Sequence, residues 1–391
     1  MPNRIRTVTD NPEKRTIEIQ WDHGEPVTYH YVWLRHHGRL PYGMENDTSI
    51  KIDLIPDDPA SLEIEKWTTT SESLVILWKN DDVETCHGLK SLHDSSYDTV
   101  SRSKKRIDPI LWSSDSASQI PVFNFKELFK DNSNYKLLSS VRDYGLAKIN
   151  NAPVQSQTVA KVAAIFGPVH INNYGRVFDV QTSKNTVLGS NTGSHLNPHT
   201  DESYRHSPPG ISFFHCLKAS DAGGHSILVD GFRAAQSLRD SDSEGFIALT
   251  TISVFFQRYA IHEEDMQAHG KIITTDLDGN VEGIRFTDRT LPPQDLPNEL
   301  VEPVYRGIKL FWNIINSKKM KHQYAMKPGD IHIFDNHRVL HGRTAFDPVT
   351  SKRHLQQCSV NRDEFHNSLR LLAHKLGKTD AHCTMTGGAR S

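Results

Sequence analysis

The feature that most constrains this chain is its punctuation: short apolar runs, most of them four to eight residues long, broken again and again by Gly, Pro, Asn, Asp and Ser. Towards the N-terminus the runs are TIEIQW (16–21), VTYHYVWL (27–34), SIKIDLI (49–55), LEIEKWT (62–68) and SLVILW (73–78). The pattern returns with GISFFHCL (210–217), HSILVDGF (225–232), VFFQRYAI (254–261), KIITTDL (271–277), GIRFT (283–287), IHIFDN (331–336) and VLHGRTAF (339–346). Such runs read as strands joined by tight turns, and they do not alternate regularly with helices as a parallel sheet would require. The expected fold is therefore mainly β, a jelly roll or barrel with flanking helices. Helical spacing is confined to 123–145, to 153–167 with Gly167 as its stop, to 232–251 and to 298–317.

The stretch VSRSKKRIDPILWSSDSASQI (100–120) is rich in Ser, Lys and Asp and reads as a linker. It predicts a small N-terminal β domain over 1–105 and a larger domain over 106–378, followed by a disordered tail over 379–391. A chain of 391 residues, 36% hydrophobic, is long enough to bury two cores. Its 45 basic and 47 acidic residues give a formal charge of −2, so no global field favours nucleic acid or an anionic membrane, and neither is expected as a partner. Cys86, Cys216, Cys358 and Cys383 are scattered and form no CxxC pair, which argues against a disulfide framework and fits a reducing compartment. The opening MPNRIRTVTDNPEKR lacks an apolar core of a signal peptide, and no run of 18 apolar residues occurs; a cytoplasmic protein is expected.

The chemistry starts at NPHTDESYRHSPPG (197–210). His199 and Asp201 are two apart, which on a strand puts both side chains on one face. They could share a metal or simply hydrogen-bond each other. His341 in IFDNHRVLHGR is a second imidazole at a β-rich stretch, although His337 and His354 compete with it. Two His and one carboxylate leave coordination positions open, the arrangement that suits non-haem Fe(II). Arg353 lies twelve residues beyond His341, a spacing that one hairpin can fold back, and its guanidinium suits a carboxylate. A surface salt bridge is the plainer alternative for that arginine.

Taken together, HTD (199–201), GGHSILVDGF (223–232), MKPGDIHIFDN (326–336), LHGR (340–343) and SKRHL (351–355) resemble the γ-butyrobetaine hydroxylase-like branch of the taurine dioxygenase family, and VWLR (32–35) extends the likeness into the N-terminal domain. The resemblance implies a double-stranded β-helix, or jelly-roll, catalytic domain that uses Fe(II), 2-oxoglutarate and O2. It implies His199, Asp201 and His341 as iron ligands and Arg353 as the partner of the distal 2-oxoglutarate carboxylate, with Ser226 a further contact. Oxidative decarboxylation of the cosubstrate would be coupled to hydroxylation of an unactivated C–H bond.

Two departures from the branch bear on expectation. Relatives often hold a structural zinc through cysteines after the WLR block, whereas this chain reads WLRHHGRLPYG. His36 and His37 are adjacent and would point to opposite sides of a strand, so no structural zinc is expected. The branch binds a trimethylammonium group in an aromatic cage, for which Tyr174 and Phe178 align. Asn191 and Ser359 stand where relatives show tyrosines, and Tyr204 could compensate. For the anionic end, Arg285 and Arg289 stand where relatives offer amides, which favours a multiply charged anion such as a phosphonate. The small-molecule substrate is thus expected to be 2-(trimethylammonio)ethylphosphonate or γ-butyrobetaine. An oxygenase acting on another small anion, such as a sulfonate, and a non-catalytic β-rich binding protein are the other readings; a homodimer is allowed.

Overall fold

The computed structural model describes residues 4–38, 55–79, 83–181, 193–260, 264–348 and 351–382. The chain divides into two compact units, Met1–Arg106 and Ile107–Ser391. Among the described residues no helix is long and apolar enough to cross a membrane.

In the first unit, β1 (Ile5–Asn11), β2 (Thr16–Trp21) and β3 (Val27–His30) form one antiparallel sheet and lead into helix α1 (Tyr31–His37). A second sheet holds β4 (Ile64–Thr69), β5 (Ser73–Trp78) and β6 (Glu84–Gly88), followed by α2 (Leu89–Asp94) and α3 (Thr99–Lys104). Alternate residues of the strands, Ile17 and Ile19, Leu74 and Ile76, supply a core shared with Trp21, Tyr29 and Trp78. The reading of 27–34 as one strand is corrected here: the strand ends at His30 and VWLRHH is helical. His36 and His37 thus sit one helical step apart with ring centroids 4.6 Å from each other, not on opposite faces of a strand. The expected strand SIKIDLI lies outside the described residues except for Ile55, and the start of the expected linker belongs to α3.

The second unit contains, in chain order, β7 (Val122–Asn124), α4 (Asp131–Tyr144), β8 (Leu146–Asn150), α5 (Thr158–Ala163), β9 (Phe178–Gln181), β10 (Leu196–His199), β11 (Ile211–Lys218) and β12 (Ser226–Asp230). Helices α6 (Gly231–Ser241) and α7 (Ser243–Thr251) follow, then the hairpins β13 (Val254–Ala260) with β14 (Glu264–Gly270) and β15 (Ile273–Thr275) with β16 (Val281–Ile284). The chain continues through α8 (Asn298–Asn316), β17 (His322–Tyr324), β18 (Ile331–Asp335), β19 (Val339–Arg343), β20 (His354–Val360) and α9 (Arg362–Lys375). Its two main sheets have the orders β7-β8-β18-β11-β20-β9 and β10-β19-β12-β17.

Strand periodicity explains why the two sheets enclose a cavity. On β18, Ile331 and Ile333 pack against α4, α5 and α9, while His332 and Phe334 between them face the cavity. On β20, Cys358 and Val360 join that outer core, while Leu355 and Gln357 face inwards. The smaller sheet is backed in the same way: Val229 of β12 and Leu340 of β19 pack with Phe232 of α6, Leu249 of α7 and Phe311 of α8. A buried ion pair fixes the junction. Arg338 bonds both carboxylate oxygens of Asp230, and its other N–H groups donate to the carbonyls of Ile110 and Asp143. Both ends of this pair are almost wholly enclosed, so losing either partner would strand a buried charge at a cost of about 3–5 kcal/mol.

Of the expected tail over 379–391, only residues 379–382 lie within the described residues. Thr379–His382 forms a 3-10 turn, and the Asp380 carboxylate accepts hydrogen bonds from Tyr135 and Arg142 of α4.

Candidate active site

The inner face holds a cavity of about 420 Å³. At its floor, β10 runs antiparallel to β19 and His199 is the register partner of His341. Asp201 does not continue the strand: β10 ends at His199, and Asp201 opens the turn that follows. The three side chains nevertheless converge, with one ligand atom from each lying within 4.8 Å of the others. Asp201 Oδ1 is 3.3 Å from His341 Nε2 and 3.7 Å from His199 Nε2.

Several contacts make this convergence rigid. His199 Nδ1 lies 2.8 Å from the Asn197 carbonyl, which can only accept, so Nδ1 carries the proton and Nε2 keeps its lone pair. Thr200 is pinned to the neighbouring segment: its N–H donates to the Phe286 carbonyl, and its hydroxyl accepts from the Phe286 N–H at 2.7 and 3.0 Å respectively. The Asp201 peptide is clamped on both sides by one amide. Its N–H donates to Asn336 Oδ1 at 2.7 Å, and its carbonyl accepts from Asn336 Nδ2 at 3.1 Å. The other carboxylate oxygen, Oδ2, accepts from Gln357 Nε2 at 3.0 Å.

Electrostatics keep the set ready for a cation. Burial pushes the His199 imidazole down to about 4, helped by His341, so the ring is neutral near pH 7. Burial alone would raise the Asp201 carboxyl, but His341 and His199 hold it well below the usual carboxylate range. Two imidazoles and an ionised carboxylate, convergent and lining the cavity, fit a divalent transition metal.

Arg353 also lines the cavity. Burial pushes its guanidinium down to about 10, far above neutrality, so it remains charged. No carboxylate pairs with it among the described residues, which leaves a half-buried cation facing the cavity. Ser226, the first residue of β12, lines the same region. Arg343, its cross-strand partner, adds a second positive charge and is anchored through the Ser194 carbonyl at 3.0 Å. Phe214 and Phe334 make an apolar wall beside His341, with ring centroids 5.4 and 4.9 Å from it.

The same cavity is lined by the aromatic residues named from the sequence. Tyr174 and Phe178 have ring centroids 5.7 Å apart, and the Tyr174 and Tyr204 hydroxyls are 3.2 Å from each other. Arg258 stands 5.8 Å from the Tyr204 ring, and its charge is matched by an ion pair with Glu264. Arg289 also lines the cavity and is exposed.

One of the substrate assignments changes. Arg285 does not line the cavity: it is 3% exposed, and its guanidinium is held by donating to the carbonyls of Ser203, His269 and Arg205. Ser359 is buried on β20 and is not among the residues that line the cavity. Asn191 lies outside the described residues. Gln357, Asn336 and Arg343 are residues that sequence reasoning missed. The first carried no motif signal, whereas the other two were inside quoted blocks but had no role assigned.

A jelly roll with a convergent His-Asp-His set, an arginine that no carboxylate pairs with among the described residues and an apolar cavity wall fits a metal-dependent oxygenase that takes an acidic cosubstrate. The sequence signature of the family described as "Taurine catabolism dioxygenase TauD, TfdA family" matches residues 111–359, and the chain belongs to that family of Fe(II)- and 2-oxoglutarate-dependent dioxygenases. It is 32% identical over 266 residues to a γ-butyrobetaine dioxygenase of Homo sapiens, covering 67% of this chain and 69% of that one. It is 28% identical over 369 residues to a γ-butyrobetaine dioxygenase of Pongo abelii, covering 93% and 95% of the two chains. Among solved structures, AAD-2 in complex with Mn(II) and N-oxalylglycine shares the fold with a TM-score of 0.50 at 13% identity, over 62% of this chain and 95% of that one.

Proposed function

We propose that this dioxygenase hydroxylates an unactivated carbon of a small trimethylammonium zwitterion, either γ-butyrobetaine or 2-(trimethylammonio)ethylphosphonate. The observation that carries this reading is the wall of Tyr174, Phe178 and Tyr204 in the cavity that also holds His199, Asp201 and His341. A quaternary ammonium cannot donate hydrogen bonds, so π faces are its natural partners, each contributing about 0.5–2 kcal/mol. The Arg258–Glu264 pair keeps that wall free of an uncompensated positive charge.

His199 and His341 would hold the iron through Nε2 and Asp201 through Oδ1, and Arg353 would take the distal carboxylate of 2-oxoglutarate, with Ser226 beside it. The metal and cosubstrate supply the C–H oxidation. The protein's part is to hold the substrate carbon near the metal and to exclude water with Phe214, Phe334 and Leu355. With Arg285 committed to carbonyls, Arg289 is the residue for the anionic end. Its charge favours a phosphonate over a carboxylate, and the γ-butyrobetaine dioxygenases among the relatives favour the reverse; both substrates stay in the proposal.

Substrate-stimulated consumption of 2-oxoglutarate, measured with γ-butyrobetaine, its ethylphosphonate counterpart and taurine, tests the reading. Stimulation by one or both trimethylammonium compounds and not by taurine is expected. Stimulation by taurine alone would replace this reading with a sulfonate oxygenase.

A further inference from the structure

Asp201 is held at three points, and they do different work. Asn336 clamps its peptide through the N–H and the carbonyl, and Asn336 is itself fixed by donating to the Pro209 carbonyl at 3.1 Å. That fixes where the side chain starts. It does not fix how the carboxylate is turned, because the last torsion of Asp is a broad, nearly two-fold rotor. Gln357 fixes the turn: its amide N–H binds Oδ2 at 3.0 Å, while Oδ1 is the oxygen near both imidazoles.

Gln357 is well placed for this. It lies two residues after Leu355 on β20 and therefore on the same inward face, in register with Phe178 of β9 on one side and Phe214 of β11 on the other. Neighbours on both edges leave the amide little freedom, so the bond to Asp201 is made by a side chain that is already placed.

We propose that Gln357 is a positioning residue for the metal carboxylate: by occupying Oδ2 it makes Asp201 a one-oxygen ligand. The consequence is a matter of counting. Two imidazoles and one carboxylate oxygen leave three positions of an octahedron, two for the 2-oxo acid and one for O2. A carboxylate free to swing and bind through both oxygens would close one of them. Groups that orient a ligand in this way typically change metal affinity or activity by about 10–100-fold when removed. The proposal rests on the metal reading of the triad and is independent of which substrate the enzyme takes.

The test uses the metal-free full chain and Co(II), whose visible absorption reports coordination, in the parent and in Gln357→Leu and Gln357→Glu. Gln357→Leu should fold as the parent does by circular dichroism, bind Co(II) about 10-fold more weakly or with an altered spectrum, and show a weakened spectral response to 2-oxoglutarate. Gln357→Glu should bind Co(II) at least as tightly as the parent, since it adds a carboxylate, and yet lose the response to 2-oxoglutarate. Parent-like Co(II) affinity, spectrum and 2-oxoglutarate response in Gln357→Leu would overturn the proposal. A parent that takes up no Co(II) would remove the metal reading and this proposal with it, whereas failure of trimethylammonium substrates alone would leave both standing.

Discussion

His199 and His341 are direct partners across two antiparallel strands, with ring centroids 4.5 Å apart, so the backbone register of β10 on β19 sets the spacing of the two imidazoles. Two of the three ligands of a metal bound there would be set by a sheet, and the third, Asp201, by the turn that follows it. His199→Ala or Asp201→Ala should accordingly abolish iron-dependent turnover while leaving the circular dichroism spectrum and cooperative unfolding in place. Full activity in either variant would remove the triad assignment.

Arg353→Leu tests the cosubstrate anchor. The guanidinium is half-buried, charged and without a carboxylate partner among the described residues. Deleting it should weaken 2-oxoglutarate by about 2–5 kcal/mol, the range for truncating one member of a buried charge pair. The apparent KM for 2-oxoglutarate is the measurement, and an unchanged value would transfer the role to Arg343.

Arg289 and Arg285 should behave oppositely. Arg289→Gln keeps a donor and removes the charge at the cavity, so the phosphonate should lose more catalytic efficiency than γ-butyrobetaine does. Bonds to charged groups are worth about 1.5–3 kcal/mol against about 1 for neutral ones. Arg285→Gln should instead lower stability by a similar few kcal/mol, because three carbonyls lose their donor, and should leave the ratio of the two substrates unchanged. Equal losses for both substrates in Arg289→Gln would end the phosphonate reading.

His215 offers a pH test. Its side chain is fully buried, and neither ring nitrogen has a hydrogen-bond partner among the described residues. Burial, aided by His354, pushes the imidazole down to about 4 from an ordinary 6.5. The unfolded chain takes up this proton near pH 6.5 and the folded chain only near 4. The linked stability is therefore complete above pH 6.5 and is lost as the pH falls towards 4. His215→Phe removes the unsatisfied ring and the linkage together. It should match or exceed the parent by about 1–3 kcal/mol and lose less on acidification, as read from urea unfolding at pH 7.5 and 5. A variant that loses stability in parallel with the parent would contradict this.

The β-rich architecture and the HTD, LHGR and SKRH strings were legible because each is local: a few consecutive residues carry the signal. Gln357 was not legible, since its bond to Asp201 depends on the register of β20 against β9 and β11, and a slip of one residue would turn it outwards. Arg285 was misjudged for the same reason. Its place beside Arg289 in GIRFTDR is visible, but the three carbonyls that capture it come from 203, 205 and 269. The helix at 31–37 was hidden because VTYHYVWL is apolar enough to satisfy either period, and short runs cannot separate the two.

The pairings β8 with β18, β11 with β18 and β10 with β19 each join segments far apart in sequence. Such closures lose chain entropy before contacts reward them, so a fold built on them assembles slowly. The ligand triad is split across the β10–β19 pairing, and a nascent chain that has not yet reached His341 holds only two of its members. The complete triad thus exists only once that pairing has formed, and metal uptake during refolding would time its closure.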